Sequence, residues 1–324
     1  MAVLLLILML FANACATASG EDRQPPRDPA QNTPVFQAGQ IWDVRTGRVV
    51  TFDDLLAAIH SADVVYLGEE HHNARHIDAA LRVLRGLHAA GRRPTLGLEM
   101  FGWEAQPALD RYGAEPDWPR DEFLKAAGWE QNWGGAFADY EPLLLHAREH
   151  RLPLVALNPP KALVRLVAKQ GLATALTDPA MARWDMQAEP MVDDPAYKEM
   201  IVTPLRKCHG GLSDDAYQRM YDASMFRDEG MAKVVANAVR RLSSKPETGA
   251  GPVVSYTGNG HINYRLPVPK RVARRTDGAA RQVTIALASF DPSRAEEIQT
   301  LLADGVADYL WLTPLGPHGA PKRC

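Results

Sequence analysis

Short apolar runs alternate with segments of helical periodicity along the chain from about residue 36 onward. "DVVYLGE" (63–69), "TLGLEMF" (95–101), "LPLVALN" (152–158), "PVVSYTG" (252–258), "QVTIALASF" (282–290) and "DYLWLTP" (308–314) have the length and composition of buried strands. Between them, "FDDLLAAIHSA" sets Leu55, Leu56 and Ile59 on one side of a helix. "ARHIDAALRVLRGLHAAG" carries Ile77, Leu81, Leu84 and Leu87 at helical spacing and stops at Gly91. "KALVRLVAKQG" repeats the pattern after 160, and "RTGR" at 45–48, between alternating apolar residues, predicts a hairpin. The alternation predicts an α/β fold, a mostly parallel sheet flanked by helices on both faces. Two stretches break it, about 104–152 and 172–241. They are rich in Trp, Met and acidic residues, contain no convincing strand, and predict an inserted smaller helical domain.

The N-terminus does not belong to this pattern. "MAVLLLILMLFANACATASG" has an apolar run from Val3 to Phe11, too short to cross a hydrocarbon layer of roughly 30 Å as a helix. Residues 1–19 therefore read as an export signal without the usual basic start. "ANAC" resembles a bacterial lipobox in which Cys15 is lipidated; cleavage after a small residue and release as a soluble protein is the plainer alternative. Residues 20–35 are polar and Pro-rich, the composition of a flexible tether. The domain proper is expected over 36–315, with a tail at 316–324. Together these place the protein in a bacterial cell envelope, lipid-anchored at the outer membrane or periplasmic.

Composition adds limits. With 324 residues, 46% hydrophobic, the chain can bury one large α/β core. A net charge of −3 and the lack of a long basic run give nucleic-acid binding no support. Of the three cysteines, Cys208 and Cys324 could pair in an oxidising compartment, and no CxxC or CxxCH spacing marks a zinc finger or c-type haem.

In an open parallel sheet, ligands bind beyond the carboxyl ends of the strands. Four predicted strands end there in polar residues: Glu69, Glu70, His71 and His72 after the first, Glu99 after the second, Asn158 after the third, and His261 in "TGNGHINY" after the fourth. Gly68, Gly258 and Gly260 let the backbone turn and approach a ligand closely. Such a set can hold a divalent metal such as zinc or manganese with a spare glutamate as general base, or it can position protons without one. The HExxH spacing is absent. Each residue also has a plainer reading. Glu69 could cap the following helix, Arg75 and His76 could be ordinary helix-face residues, Trp118, Trp129 and Trp133 core residues, and "PKRVARR" (269–275) a solvated face with an anion-binding role left open.

Taken together, "VVYLGEEHHNARH", "TLGLEMF" followed by Gln106-Pro107, "YEPLLLHAREHRLPLVALNPPKALVRLVAKQG", "FRDEGMAKVV" and "YTGNGHINYRLPVP" resemble the ChaN-like haem-binding family of the Tiki/erythromycin-esterase-like superfamily, in order over about 36–315. The resemblance implies a parallel sheet with a smaller helical domain, and an iron-regulated surface lipoprotein that binds haem for iron uptake. It also implies a homodimer holding two haems face to face, with tyrosine on each iron and His and Lys at the propionates, and an outer-membrane haem receptor as a partner. On that reading Tyr264 is the preferred iron ligand, ahead of Tyr256, Tyr217, Tyr221 and His209. His261, His71, Glu69, Glu99 and Lys161 join it around the cofactor, with Arg165 and the 270–275 run as further cations. Superfamily relatives include metal-dependent proteases and antibiotic esterases, so the alternative is a hydrolase with Glu69, His71, Glu99 and His261 as its catalytic set.

Overall fold

The computed structural model describes residues 34–244, 249–316 and 319. The export signal, Cys15, nearly all of the tether, and Cys324 lie outside the described residues. From Phe36 onward the chain forms one compact unit, in which Cys208 is disulfide-bonded.

Eight strands make one sheet: β1 (Ile41–Asp43), β2 (Arg48–Val50), β3 (Val64–Glu69), β4 (Arg93–Gly102), β5 (Leu154–Asn158), β6 (Ala250–Gly258), β7 (Gln282–Phe290) and β8 (Tyr309–Pro314). Their spatial order is β2-β1-β8-β7-β3-β6-β4-β5. The six strands from β8 to β5 are parallel, and the predicted hairpin β1–β2 adds antiparallel to β8. Every apolar run of the sequence pattern became a strand, because a strand covered on both faces needs a continuous apolar run and not an alternating one.

Side-chain alternation divides the core. Val65, Leu67, Leu98 and Tyr256 point to one face, where the helices Phe52–His60, Ala74–Ala89, Gln106–Ala114 and Phe137–Glu149 cover them. Val64, Tyr66 and Val253 point to the other, under the 31-residue helix Asp214–Ser244 and the helix Val268–Arg275. The first helical insertion is not set apart: Leu109, Phe123, Trp129 and Phe137 share one apolar cluster with the strands. The second keeps small clusters of its own around Met181, Met186, Tyr197 and Tyr221. At the exposed edge, the Gln106 side chain stands in for a missing strand, donating to Leu154 O at 2.9 Å and accepting from Ala156 N–H at 2.8 Å.

Candidate functional site

Because β6 lies between β3 and β4, Glu69, Glu99 and the turn after Gly258 end side by side at the carboxyl edge. The turn folds over the tip of β3. A Cβ on Gly68 would sit 2.4 Å from Asn259 Oδ1 and 2.6 Å from Ile262 Cδ1, so only glycine allows this approach.

Glu69 is buried and accepts three contacts. Tyr140 Oη donates to Oε1 at 3.0 Å, Tyr256 Oη donates to Oε2 at 2.7 Å, and His71 Nδ1 lies 2.7 Å from Oε1. Burial pushes its pKa up, against the opposing hydrogen bond and charge of His71. The His71 side chain is 42% exposed, edge-on to Trp133 at 5.0 Å between ring centroids. Its ring lies over Gly258, where a Cβ would come within 2.9 Å of both Cε1 and Nε2. Burial opposes the imidazolium, but the Glu69 hydrogen bond and the charges of Glu99 and Glu69 outweigh it and raise the His71 pKa.

Glu99 is fully buried in a tighter setting. Gly258 N–H donates to Oε2 at 2.6 Å, the Arg227 guanidinium donates to Oε1, and His261 Nε2 stands 3.3 Å from Oε1. His261 Nδ1 bonds Asp228, whose other oxygen accepts from Tyr197 Oη at 2.5 Å. Asn158 aligns the guanidinium, accepting from Arg227 Nε at 2.9 Å while its own amide donates to Glu99 O at 2.8 Å. Burial disfavours the Glu99 carboxylate, yet the His261 and Arg227 charges hold its pKa well below the usual range. Burial likewise opposes the His261 charge, and Glu99 and Asp228 overcome it, raising the His261 pKa to about 9.

The structure thus brings Glu69, His71, Glu99, Asn158 and His261 together, as the strand-tip argument expects. Other expectations come out differently. Glu69 caps no helix; Asn73 does, its side chain accepting from Arg75 N–H. His76 is not a helix-face residue: it is buried and accepts the Glu70 N–H at 2.9 Å through Nδ1, and burial takes its pKa down to about 3. Glu70 turns to the Ser289 hydroxyl and to Arg294 Nη1 at 3.0 Å. His72 pairs with Asp139 at 2.9 Å. The 269–275 run is not a solvated face, since Arg271, Arg274 and Arg275 converge on the buried Glu229. Tyr264, with φ of +57°, packs its ring against the cluster of Phe36, Trp42 and Phe290. Tyr217, Tyr221 and Tyr256 are buried with their hydroxyls bonded to His209 O, Asp193 and Glu69. Residue-by-residue reading missed Arg227, Asp228, Tyr197 and Tyr140. The signal for the first two was "FRDE", charges set between Phe226 and Met231 on the buried side of a helix.

Beside Glu99 a cleft of 380 Å³ opens toward the helix Lys161–Gln170. Met100, Trp133 and Val164 line its apolar part, and Arg227, Lys161 and Arg165 bring positive charge, the last two exposed.

An open α/β sheet with buried acids and histidines gathered at its carboxyl edge defines the general class. The family described as "Haem-binding uptake, Tiki superfamily, ChaN" matches residues 55–272, and the chain belongs to it. Among solved structures, ChaN of Campylobacter jejuni, described for its cofacial haem binding, is similar at 17% identity with a TM-score of 0.61, covering 84% of this chain and 95% of that one. A mutant of the erythromycin esterase EreC in its open conformation is similar at 15% identity with a TM-score of 0.42, covering 78% and 76%. The chloroplastic protein RETICULATA-RELATED 5 of Arabidopsis thaliana is 27% identical over 282 residues, covering 79% of this chain, which spans 35% of that protein's length.

Proposed function

We propose that this chain binds haem in the cleft beside the strand tips. The lining of the cleft carries the reading. Trp133, Met100 and Val164 supply an apolar flank, and Lys161, Arg165 and Arg227 supply cations. A porphyrin asks for that combination, an apolar wall for the ring and positive charge for two propionates, so the residues present fit the group. When bound, haem would supply a Lewis-acidic iron. His71 would hold the iron: Glu69 fixes its Nδ1, a hydrogen bond that orients a metal-binding histidine. Tyr264 is the rival, pointed to by the family resemblance. Lys161 and Arg165 at the rim would hold the propionates, and a second copy laid over the cleft would bring two haems face to face, in keeping with the cofacial haem binding of ChaN of Campylobacter jejuni.

The biological setting follows from the N-terminal residues. Cys15 would carry a lipid anchor, the tether would hold the domain at the outer membrane or in the periplasm, and haem would come from an outer-membrane receptor during iron acquisition. Hydrolysis at the same tips is the second reading, supported by the Glu69–His71 pair as a proton-transfer couple. Zinc or manganese fits the set poorly. Both nitrogens of His261 already face carboxylates, Glu99 and Asp228, so a metal would have to break one of those contacts to use it.

Hemin titration of the purified protein tests the proposal. A Soret shift saturating near stoichiometry is expected, with affinity falling at least tenfold, about 1.4 kcal/mol, in His71→Ala and the iron spectrum unchanged in Tyr264→Phe. No shift in the wild type refutes haem binding, and ester hydrolysis lost in His71→Ala would then support the second reading. A spectrum altered by Tyr264→Phe and not by His71→Ala moves the iron to the tyrosine. Cys15→Ser should shift the protein from the membrane fraction to the soluble one; retention in the membrane rules out the anchor.

A further inference from the structure

The helix Phe137–Glu149 has chemistry at both ends. Its first turns contribute Asp139 and Tyr140 to the strand-tip site. Its last turn reads "HAREH", residues 146–150, and places His146, Glu149 and His150 with one potential ligand atom each within 4.8 Å of one another. From Tyr140 to His146 the helix runs six positions, roughly 9 Å at 1.5 Å per residue.

From this geometry we propose a second, independent site for a divalent transition metal such as zinc, held by His146, Glu149 and His150. Four observations carry it. Histidines at i and i+4 share one helix face, and the glutamate between them, three residues after the first, lies on the same side. His146 is only 5% exposed, and its Nε2 is buried with no hydrogen-bond partner among the described residues. A buried imidazole nitrogen without a partner is uncommon, and a metal ion on that lone pair would satisfy it. The third observation is a histidine from a different helix. His88, in the last turn of Ala74–Ala89, packs against His150 with centroids 4.5 Å apart and the rings tilted by 42°, and His150 packs against His146 at 4.4 Å and 59°. His88 lies outside the group of three and would have to turn its ring to become a fourth donor. The last is the setting: His150 caps the helix C-terminus, where unsatisfied carbonyls favour a cation.

Glu149 and His150 are the more exposed members, able to rotate toward an ion as it arrives. The donor set of imidazoles and one carboxylate is of the borderline type that suits zinc, nickel or copper more than calcium or magnesium.

The test uses the full chain without a polyhistidine tag, titrated with Co²⁺ as a spectroscopic stand-in for zinc. Visible d–d bands of a low-symmetry site should saturate at one ion per chain, and Zn²⁺ should displace them. His150→Ala and Glu149→Gln change exposed or half-exposed residues and keep the fold; each should weaken Co²⁺ binding at least tenfold while hemin binding stays as in the wild type. Absence of the bands, or equal affinity in the two variants and the wild type, overturns the proposal. Loss of hemin binding in either variant would overturn the independence of the two sites.

Discussion

Glu69 and Glu99 stand at strand tips one strand apart, both buried, and they are held in opposite ways. Glu99 meets two cations and a backbone N–H, and its neighbour His261 is locked between it and Asp228. Glu69 meets two tyrosine hydroxyls and one half-exposed histidine. The same residue type therefore has its pKa lowered at one tip and raised at the other. Burial works against charge at both, and the difference lies in what compensates it. The Glu99 side is a closed ionic lock tying the long helix to the sheet. The Glu69 side is the more open half, because the His71 ring is half-exposed.

The largest expected consequence is in stability. Glu99→Gln strands Arg227 and the His261–Asp228 pair without their shared anion, and removing one partner of a buried ion pair costs about 3–5 kcal/mol. Glu69→Gln keeps acceptors for a tyrosine hydroxyl and should cost about 1 kcal/mol. Urea denaturation of both variants checks the contrast, and equal losses would abolish it.

Acidity gives a smaller effect with a definite sign. His261 binds its proton more tightly folded than unfolded, so its contribution is complete below about 6.5 and is lost as pH rises through about 9. The loss is on the order of 3 kcal/mol at about 1.4 kcal/mol per unit. Stability of the wild type should fall across this window, and His261→Gln should flatten the profile. Glu99, with its lowered pKa, works the other way at acid pH, losing its contribution as pH falls below the ordinary glutamate value. A wild-type profile flat between pH 6.5 and 9 would mean that His261 is not held charged.

The two tips were not equally legible in the sequence. Glu69, His71, Glu99 and His261 could be placed because each follows an apolar strand run, and a strand end fixes direction and neighbourhood. Arg227 lies 128 positions from Glu99, and Asp228 lies 33 from His261. What joins them is a helix crossing the sheet, and no local pattern states where it crosses. The sheet itself was readable since buried parallel strands announce themselves by composition. The basic run 269–275 misled for the matching reason: its partner Glu229 lies on that same crossing helix, so a stretch that looks solvated locally is neutralised by a contact distant in sequence.

The subtlest way to separate the two halves is Gly258→Ala. The backbone there has φ of −59°, which any residue adopts, so the substitution strains nothing in the chain itself. The new methyl would meet His71 Cε1 and Nε2 at 2.9 Å but Glu99 Oε2 only at 3.6 Å, an ordinary contact. The half-exposed imidazole can swing away, and the locked carboxylate need not move. Stability should change by no more than about 1 kcal/mol, while His71 loses its bond to Glu69 and its pKa drops back toward the free value. An NMR titration of the histidine ring reads that drop, and hemin affinity should fall with it. If the His71 pKa stays raised, the ring is not held by Glu69, and the division into a locked acid and an open one is wrong.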